Sequence, residues 1–217
     1  MNKKERAVFV EAKLGELYPN PKAPLIHSNA FTLLIAVLLS AQTTDKRVNI
    51  VTKDLFKKAK SPKEMLALGE RAVYELIKTC GLAPKKAEAI IKTSALLISK
   101  HNGKVPNDLE SLEELPGVGH KTASVVVSEY FKKPAFPVDT HIHRLAQRWG
   151  LTSGKSVKKT EEDLKKLFNE MNWRNLHLQF IFYGRGYCTA KGCDGTICHM
   201  CKSLYPNRKT KIKTRKA

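Results

Sequence analysis

The sequence is poor in acidic residues. Asp and Glu make up only 20 of its 217 residues, whereas Lys and Arg make up 39, and the formal net charge is +19. A chain this basic attracts polyanions, and the first candidate is nucleic acid. The bland alternatives are a solvated basic face or attraction to an acidic membrane, so charge favours a nucleic-acid binder without proving one.

Long apolar runs are also lacking. The most apolar segment, FTLLIAVLLSA at residues 31–41, is too short to span a bilayer and predicts a buried helix. The N-terminal segment has no apolar centre of the kind found in secretory signals. We therefore expect an intracellular protein of the cytoplasm, associated with the nucleoid of a bacterium, in which disulfides do not explain the cysteines.

No stretch alternates between apolar and polar residues with period two, which disfavours β-strands. Apolar residues instead recur at helical spacing, and Pro and Gly punctuate the pattern. The best candidate for a crossing between two lobes is KKPAFPVD, at residues 132–139. The predicted helices cover residues 4–17, 29–40, 46–56, 62–67, 70–80, 84–100, 109–114, 120–131, 140–149, 156–170 and 175–182.

A basic stretch, PNRKTKIKTRKA, ends the sequence at residues 206–217. Its charge and lack of apolar periodicity predict a mobile tail that contacts phosphate.

A glycine-rich stretch, LPGVGHKTA at residues 115–123, separates two predicted helices. Gly117 and Gly119 permit a sharp reversal and allow close approach of another molecule's backbone, and Val118 is the expected apolar anchor. The second helix would begin with free backbone N–H groups, where a phosphate can bind. A plain turn between helices is the alternative, and the basic charge favours phosphate binding.

Lys121 follows this turn at an unusual position for a cation, because the positive end of the helix dipole disfavours the charged ammonium. The dipole and partial desolvation would leave some of the amine neutral, and a neutral amine is a nucleophile. Asp139 lies before the next predicted helix, and a return segment of modest length can bring it beside Lys121. The simpler interpretations are a solvated lysine and an N-capping aspartate.

Four of the five cysteines lie close together in CTAKGCDGTICHMC, at positions Cys188, Cys193, Cys198 and Cys201. Four neighbouring thiols in a reducing compartment predict a metal centre, and thiolates suit either an iron–sulfur cluster or zinc. Cys80 stands apart and is expected to be a small buried residue.

Taken in order, LLSAQTTD, GLAPKKAEAI, HNGKVP, LPGVGHKTA, VDTH and the cysteine cluster resemble the helix-hairpin-helix DNA glycosylases, most closely the bacterial endonuclease III group. The resemblance implies an all-α fold of two lobes. A six-helix barrel with the hairpin would span residues 22–133, and residues 1–21 with 134–217 would form a second lobe with a C-terminal iron–sulfur loop. We expect a monomer that binds double-stranded DNA containing a damaged base or abasic site, and no membrane.

The activity that the resemblance implies belongs to base excision repair. Such enzymes flip a damaged nucleotide out of the stack, remove oxidised pyrimidines and cleave the strand 3′ to the abasic site by β-elimination. Lys121 takes the position of the catalytic lysine and Asp139 that of the catalytic aspartate. The remaining assignments are Gln42 for the gap left by the flipped base, Leu82 for the wedge, Asp45 and His141 for the pocket, and Gly117, Val118, Gly119 and His120 for DNA contacts.

Two departures from the family pattern leave alternatives open. The cysteines are separated by four, four and two residues, which is not the family's usual spacing, so Zn²⁺ stands as the alternative to the implied [4Fe–4S] cluster. His120 replaces the arginine or lysine of many members. The alternative functions are a glycosylase for another lesion, such as uracil or mismatched thymine, and a non-catalytic helix-hairpin-helix module that only binds DNA.

Overall fold

The computed structural model describes all 217 residues, and it contains helices and loops but no β-strand. The all-α prediction is therefore confirmed. The helices are α1 Lys3–Leu17, α2 Ala30–Ser40, α3 Asp45–Lys58, α4 Pro62–Leu68, α5 Glu70–Ile77, α6 Ala83–His101, α7 Leu109–Glu113, α8 His120–Glu129, α9 Thr140–Arg148, α10 Val157–Leu167, α11 Trp173–Gly186 and α12 His199–Leu204, with a 3₁₀ turn at Glu170–Asn172.

Most helices begin where a short polar side chain accepts a hydrogen bond from a backbone N–H of the first turn. Such a cap stabilises a helix by about 1 kcal/mol because it satisfies a group that has no partner within the helix. The capping residues are Asn2, Asn29, Thr44, Ser61, Asp108, Asp139 and Ser156. Local sequence thus sets where these helices start.

The chain divides into two compact units. The central unit comprises Ala23–Lys133 and holds α2 to α8. The terminal unit comprises Met1–Lys22 and Pro134–Ala217 and holds α1 and α9 to α12.

Helix α2 forms the core of the central unit. Residues 31–39 are all buried, which confirms the buried helix that the apolar run predicts. This helix packs against α3, α6 and α8, while α4 and α5 pack on α6. Helices of the length and polarity needed to cross a lipid bilayer are absent from the structure.

An aromatic cluster fills the core of the terminal unit. Phe136 and Trp149 are both fully buried, and Phe180 of α11 packs on each of them, with its ring centroid 5.0 Å from that of Trp149. Phe168 stacks on Phe136 at a centroid distance of 6.4 Å. Around this cluster α11 contacts both α1 and α9, so the first and last parts of the chain share one core.

The prediction of a mobile C-terminal tail is wrong. The backbone N–H of Arg215 donates to Oε1 of Gln147 at 2.7 Å, and Nε2 of Gln147 donates back to the Arg215 carbonyl at 3.1 Å. Further back, the N–H of Ile212 donates to the carbonyl of Asp194 at 2.8 Å. Partners distant in sequence hold the tail on the terminal unit, and composition does not reveal such partners.

Replacing Phe136 with Ala is expected to lower the free energy of unfolding by about 3–5 kcal/mol, because a buried ring is lost and a cavity replaces it. Urea unfolding followed by circular dichroism measures the change. Met171→Ala is the matched control, since the Met171 side chain is 86% exposed, and its effect should stay within about 0.5 kcal/mol. Equal stability of the two variants would contradict this description of the core.

Candidate active site and metal centre

The turn between α7 and α8 depends on Gly117. Its φ is +78°, a left-handed value that disfavours residues with a Cβ. A Cβ at this position would also lie 3.0 Å from the Cβ of Ala89 and 3.4 Å from Cδ1 of Leu38. Val118 turns inward and is only 5% exposed, as the sequence predicts. The reversal is therefore fixed by backbone conformation and by packing within the central unit.

Helix α8 begins without a side-chain cap, because its N-cap residue is Gly119. A Cβ at Gly119 would meet nothing within 4 Å, so space is open beside the helix start. His120 is exposed, and its Nδ1 lies 2.7 Å from Oε1 of Glu113. Lys121 follows in the same first turn and is half-buried. The open, positive end of the dipole suits an anion such as phosphate.

Asp139 begins α9. Its Oδ1 accepts a hydrogen bond from the N–H of Ile142 at 2.8 Å, and the carboxylate is half-buried. The N-capping interpretation is therefore confirmed. Because Val138 before it and Ile142 after it are both buried, the carboxylate sits at a fixed place on the terminal unit.

The two histidines of α9 differ in environment. His143 is buried, and its Nδ1 lies 2.8 Å from the hydroxyl of Thr160, so it is part of the core. His141 is half-buried, and Nη2 of Arg144 lies 3.3 Å from its Nδ1. Burial lowers the pKa of His141; Asp139 opposes that shift and the cation of Arg144 adds to it. Of the two histidines, His141 is the one placed to meet a ligand.

The four clustered cysteines converge on one point. Their sulfur atoms all lie within 4.8 Å of one another, and only Cys198 is not fully buried. The loop after α11 carries Cys188 and Cys193, Cys198 precedes α12, and Cys201 lies within it. The prediction that these thiols form a single centre is confirmed. Four soft sulfur donors at this separation suit a thiolate-bound metal or iron–sulfur cluster.

The charge state of these sulfurs agrees with metal binding. Hydrogen bonds with Cys188 and Cys201 lower the pKa of Cys198. The pKa values of Cys188 and Cys201 are raised in turn, chiefly by the same thiol–thiolate bonds. One thiolate is thus favoured at the expense of its neighbours, and a cation is needed before all of them can be anionic together.

Two arginines of α9 support the cysteine loop, and the sequence analysis missed both. Nη1 of Arg148 donates to Sγ of Cys188 at 3.3 Å and to the Thr189 carbonyl at 2.8 Å. Nη2 of Arg144 donates to the carbonyls of Gly184 and Cys188 at 2.9 and 3.0 Å. Their spacing along the helix places the two arginines on one face. No sequence signal identifies their acceptors, which are mainly backbone carbonyls.

Gln42 and Leu82 lie on neighbouring loops of the central unit. Both have left-handed backbones, with φ of +54° and +60°, which is strained for residues other than glycine. Both are exposed, Leu82 by 50%, as expected for a wedge. A Cβ on Gly81 would lie 2.8 Å from the Gln42 carbonyl oxygen, so the loops touch. Asp45 is half-buried in the first turn of α3.

Comparison with known proteins agrees with this arrangement. Residues 35–170 match the family described as HhH-GPD superfamily base excision DNA repair protein. Endonuclease III of Escherichia coli strain K12 is 46% identical over 191 residues, which cover 88% of this chain and 90% of that protein.

Solved structures give the same result. A non-covalent endonuclease III–DNA complex and a trapped covalent endonuclease III–DNA intermediate each align with a TM-score of 0.87 at 40% identity, over 92% of this chain and 94% of theirs. With this similarity, the four-cysteine cluster is consistent with a [4Fe–4S] cluster. The chain belongs to the HhH-GPD superfamily of base excision DNA repair proteins and, within it, to the endonuclease III family.

Proposed function

We propose that this protein is a bifunctional DNA glycosylase and abasic-site lyase that removes oxidised pyrimidines from duplex DNA during base excision repair. The observation that carries the proposal is Lys121, half-buried in the first turn of an uncapped helix directly after the glycine hairpin. Support comes from the similarity to an endonuclease III that was trapped in a covalent complex with DNA. We further propose that the protein acts on the nucleoid, where such a substrate lies.

Duplex binding would rest on charge and on the hairpin. The net charge of +19 attracts the phosphate backbone from a distance. The open helix start beside Gly119 then offers backbone N–H groups to one phosphate, a contact that positions DNA without reading its sequence. Enzymes that act on a base must take it out of the stack, and the exposed side chains of Gln42 and Leu82 are placed to fill the space that it leaves.

Lys121 would perform the covalent chemistry. The amine lone pair attacks C1′ of the deoxyribose, the C1′–N bond breaks, and the base leaves with the bonding electrons and takes up a proton. Loss of a proton from nitrogen and opening of the C1′–O4′ bond give a Schiff base. A proton then leaves C2′, the C3′–O bond breaks and the 3′ phosphate departs, after which water hydrolyses the Schiff base.

Asp139 would serve this reaction through its negative charge. A carboxylate can accept the proton that the Lys121 ammonium must lose before it attacks. The same charge stabilises the cationic sugar that develops as the base departs. The cap bond to Ile142 holds the Asp139 carboxylate in place, so no reorganisation of this side chain is needed during the reaction.

The cysteine centre would have a structural role. When bound, the cluster supplies metal–sulfur bonds that cross-link the loop after α11 to α12. Arg144 and Arg148 orient this loop by donating to its carbonyls and to one cysteine sulfur. Since Asp139 begins the helix that carries both arginines, the cysteine loop is connected to the catalytic carboxylate through a single rigid element.

Lys121→Gln is expected to abolish covalent trapping. Borohydride reduces a Schiff base to a stable amine, so wild-type protein with an abasic duplex should give an adduct of reduced mobility on a denaturing gel. A glutamine amide cannot form an imine. Lys92→Gln is the control, because Lys92 is an exposed lysine paired with Glu88, and it should trap normally. Failure of wild type to form an adduct would leave only a DNA-binding module.

Base release measured on matched duplexes tests the substrate class. Duplexes with thymine glycol, uracil opposite guanine, or 8-oxoguanine differ only at one position, and we expect release of the oxidised pyrimidine to be fastest. Lys121→Gln serves as the negative control for strand cleavage. Faster release of uracil than of thymine glycol would assign the protein to a different lesion.

Purified protein is expected to be brown, with a broad visible charge-transfer band and about four iron atoms per chain. Cys198→Ser should reduce the iron content and the thermal stability together, since one of the four ligands is lost. Cys80→Ser is the matched control, because Cys80 is a buried cysteine of the central unit outside the cluster. A colourless wild-type protein that contains zinc would contradict the iron–sulfur assignment.

A further inference from the structure

Lys86, on α6, is a buried lysine that the proposed reaction does not use. Its side chain is only 5% exposed, which is rare for a lysine. The ammonium nitrogen donates to the carbonyl of Leu39 at 2.8 Å, to that of Ala41 at 2.5 Å and to the hydroxyl of Thr43 at 3.0 Å. An ammonium has three N–H groups, so all of its hydrogen-bonding capacity is directed at this one loop.

These acceptors bracket Gln42. Leu39 and Ala41 precede it and Thr43 follows it, so the loop is fixed on both sides of the strained residue. A left-handed backbone at a residue with a side chain costs on the order of 1 kcal/mol and persists only where the surroundings hold it. The bonds from Lys86 provide that restraint.

Lys86 also belongs to the second loop. Its backbone N–H donates to the carbonyl of Leu82 at 3.0 Å, in the first turn of α6. Beside it, the N–H of Gly81 donates to the hydroxyl of Thr43 at 3.2 Å. Lys86 therefore contacts the Gln42 loop through its ammonium group and the Leu82 loop through its backbone, and Thr43 joins the two.

The choice of lysine is costly in any purely structural role. Burial lowers the pKa of Lys86, since desolvation disfavours its charged form, and the nearby Cys80 only partly opposes that shift. An apolar side chain of the same length would fill the space without this cost. It would, however, leave the carbonyls of Leu39 and Ala41 without their donor, at about 1–3 kcal/mol for each buried group.

We propose that Lys86 is a positioning residue that joins the Gln42 loop and the Leu82 loop into one rigid element, so that both side chains enter damaged duplex together. The inference rests on the proposed function, because it assumes that these two residues fill the space left by a flipped nucleotide. Prior ordering of the loops reduces the entropy lost on insertion. The clamp therefore favours duplex with a gap in its stack over intact duplex.

Lys86→Met tests the clamp, since methionine has a similar length but no N–H donors. Affinity is measured for two duplexes that differ only in a tetrahydrofuran abasic analogue, and the quantity of interest is the ratio of the two. We expect this preference for the abasic duplex to fall about tenfold, while affinity for intact duplex, which depends on phosphate contacts, stays unchanged. The fluorescence of 2-aminopurine beside the lesion, which reports unstacking, should rise less than with wild type.

Thr43→Val provides a second variant in case Lys86→Met folds poorly. It keeps the volume of the side chain but removes the acceptor shared by Lys86 and Gly81, so the preference should fall in the same direction. Lys92→Met is the control for loss of one positive charge on α6, and it should leave the preference at the wild-type value. In a Gln42→Ala, Leu82→Ala background, Lys86→Met should change the preference less than twofold, because the clamp then has nothing to position.

The outcomes separate the clamp from the proposed function. Wild-type preference in both Lys86→Met and Thr43→Val overturns the clamp, as does an equally large loss in the background without Gln42 and Leu82. Both results leave borohydride trapping by wild type intact. A wild-type protein that neither prefers the abasic duplex nor forms an adduct overturns the proposed function and the clamp with it.

Discussion

The tight reversal at Gly117 is the constraint on which the candidate active site depends. Its left-handed backbone and its packing against Ala89 and Leu38 set where α8 begins. That start determines two things at once: an open helix end suited to phosphate, and the position of Lys121 one residue inside the first turn. A residue with a Cβ at position 117 would shift the amine and the phosphate site together.

Asp139 is fixed by a separate device on the terminal unit. It caps α9, and the same helix ends in arginines that bind the cysteine loop. One short helix therefore connects a carboxylate assigned to catalysis with a centre assigned to structure. In the central unit Lys86 plays a comparable part for the Gln42 and Leu82 loops. In both units, buried cations bound to backbone carbonyls hold the loops that carry the proposed functional residues.

The sequence predicts those features whose causes are local. The apolar run of α2, the glycine reversal, the capping Asp139 and the closely spaced cysteines each combine residue type with short spacing, and the structure contains all of them. The six-residue α12 was missed because its buried residues pack around the cysteine centre and show little periodicity of their own. The roles of Arg148 and Lys86, like the binding of the tail, depend on partners far away in the chain, which composition and periodicity cannot show.

The central claim is that the Lys121 amine forms the bond to deoxyribose. Mass spectrometry of the borohydride-reduced complex, after digestion with protease and nuclease, identifies the residue that carries the sugar. The account predicts the added mass on the peptide containing Lys121. A sugar on the N-terminal amine or on another lysine would contradict it.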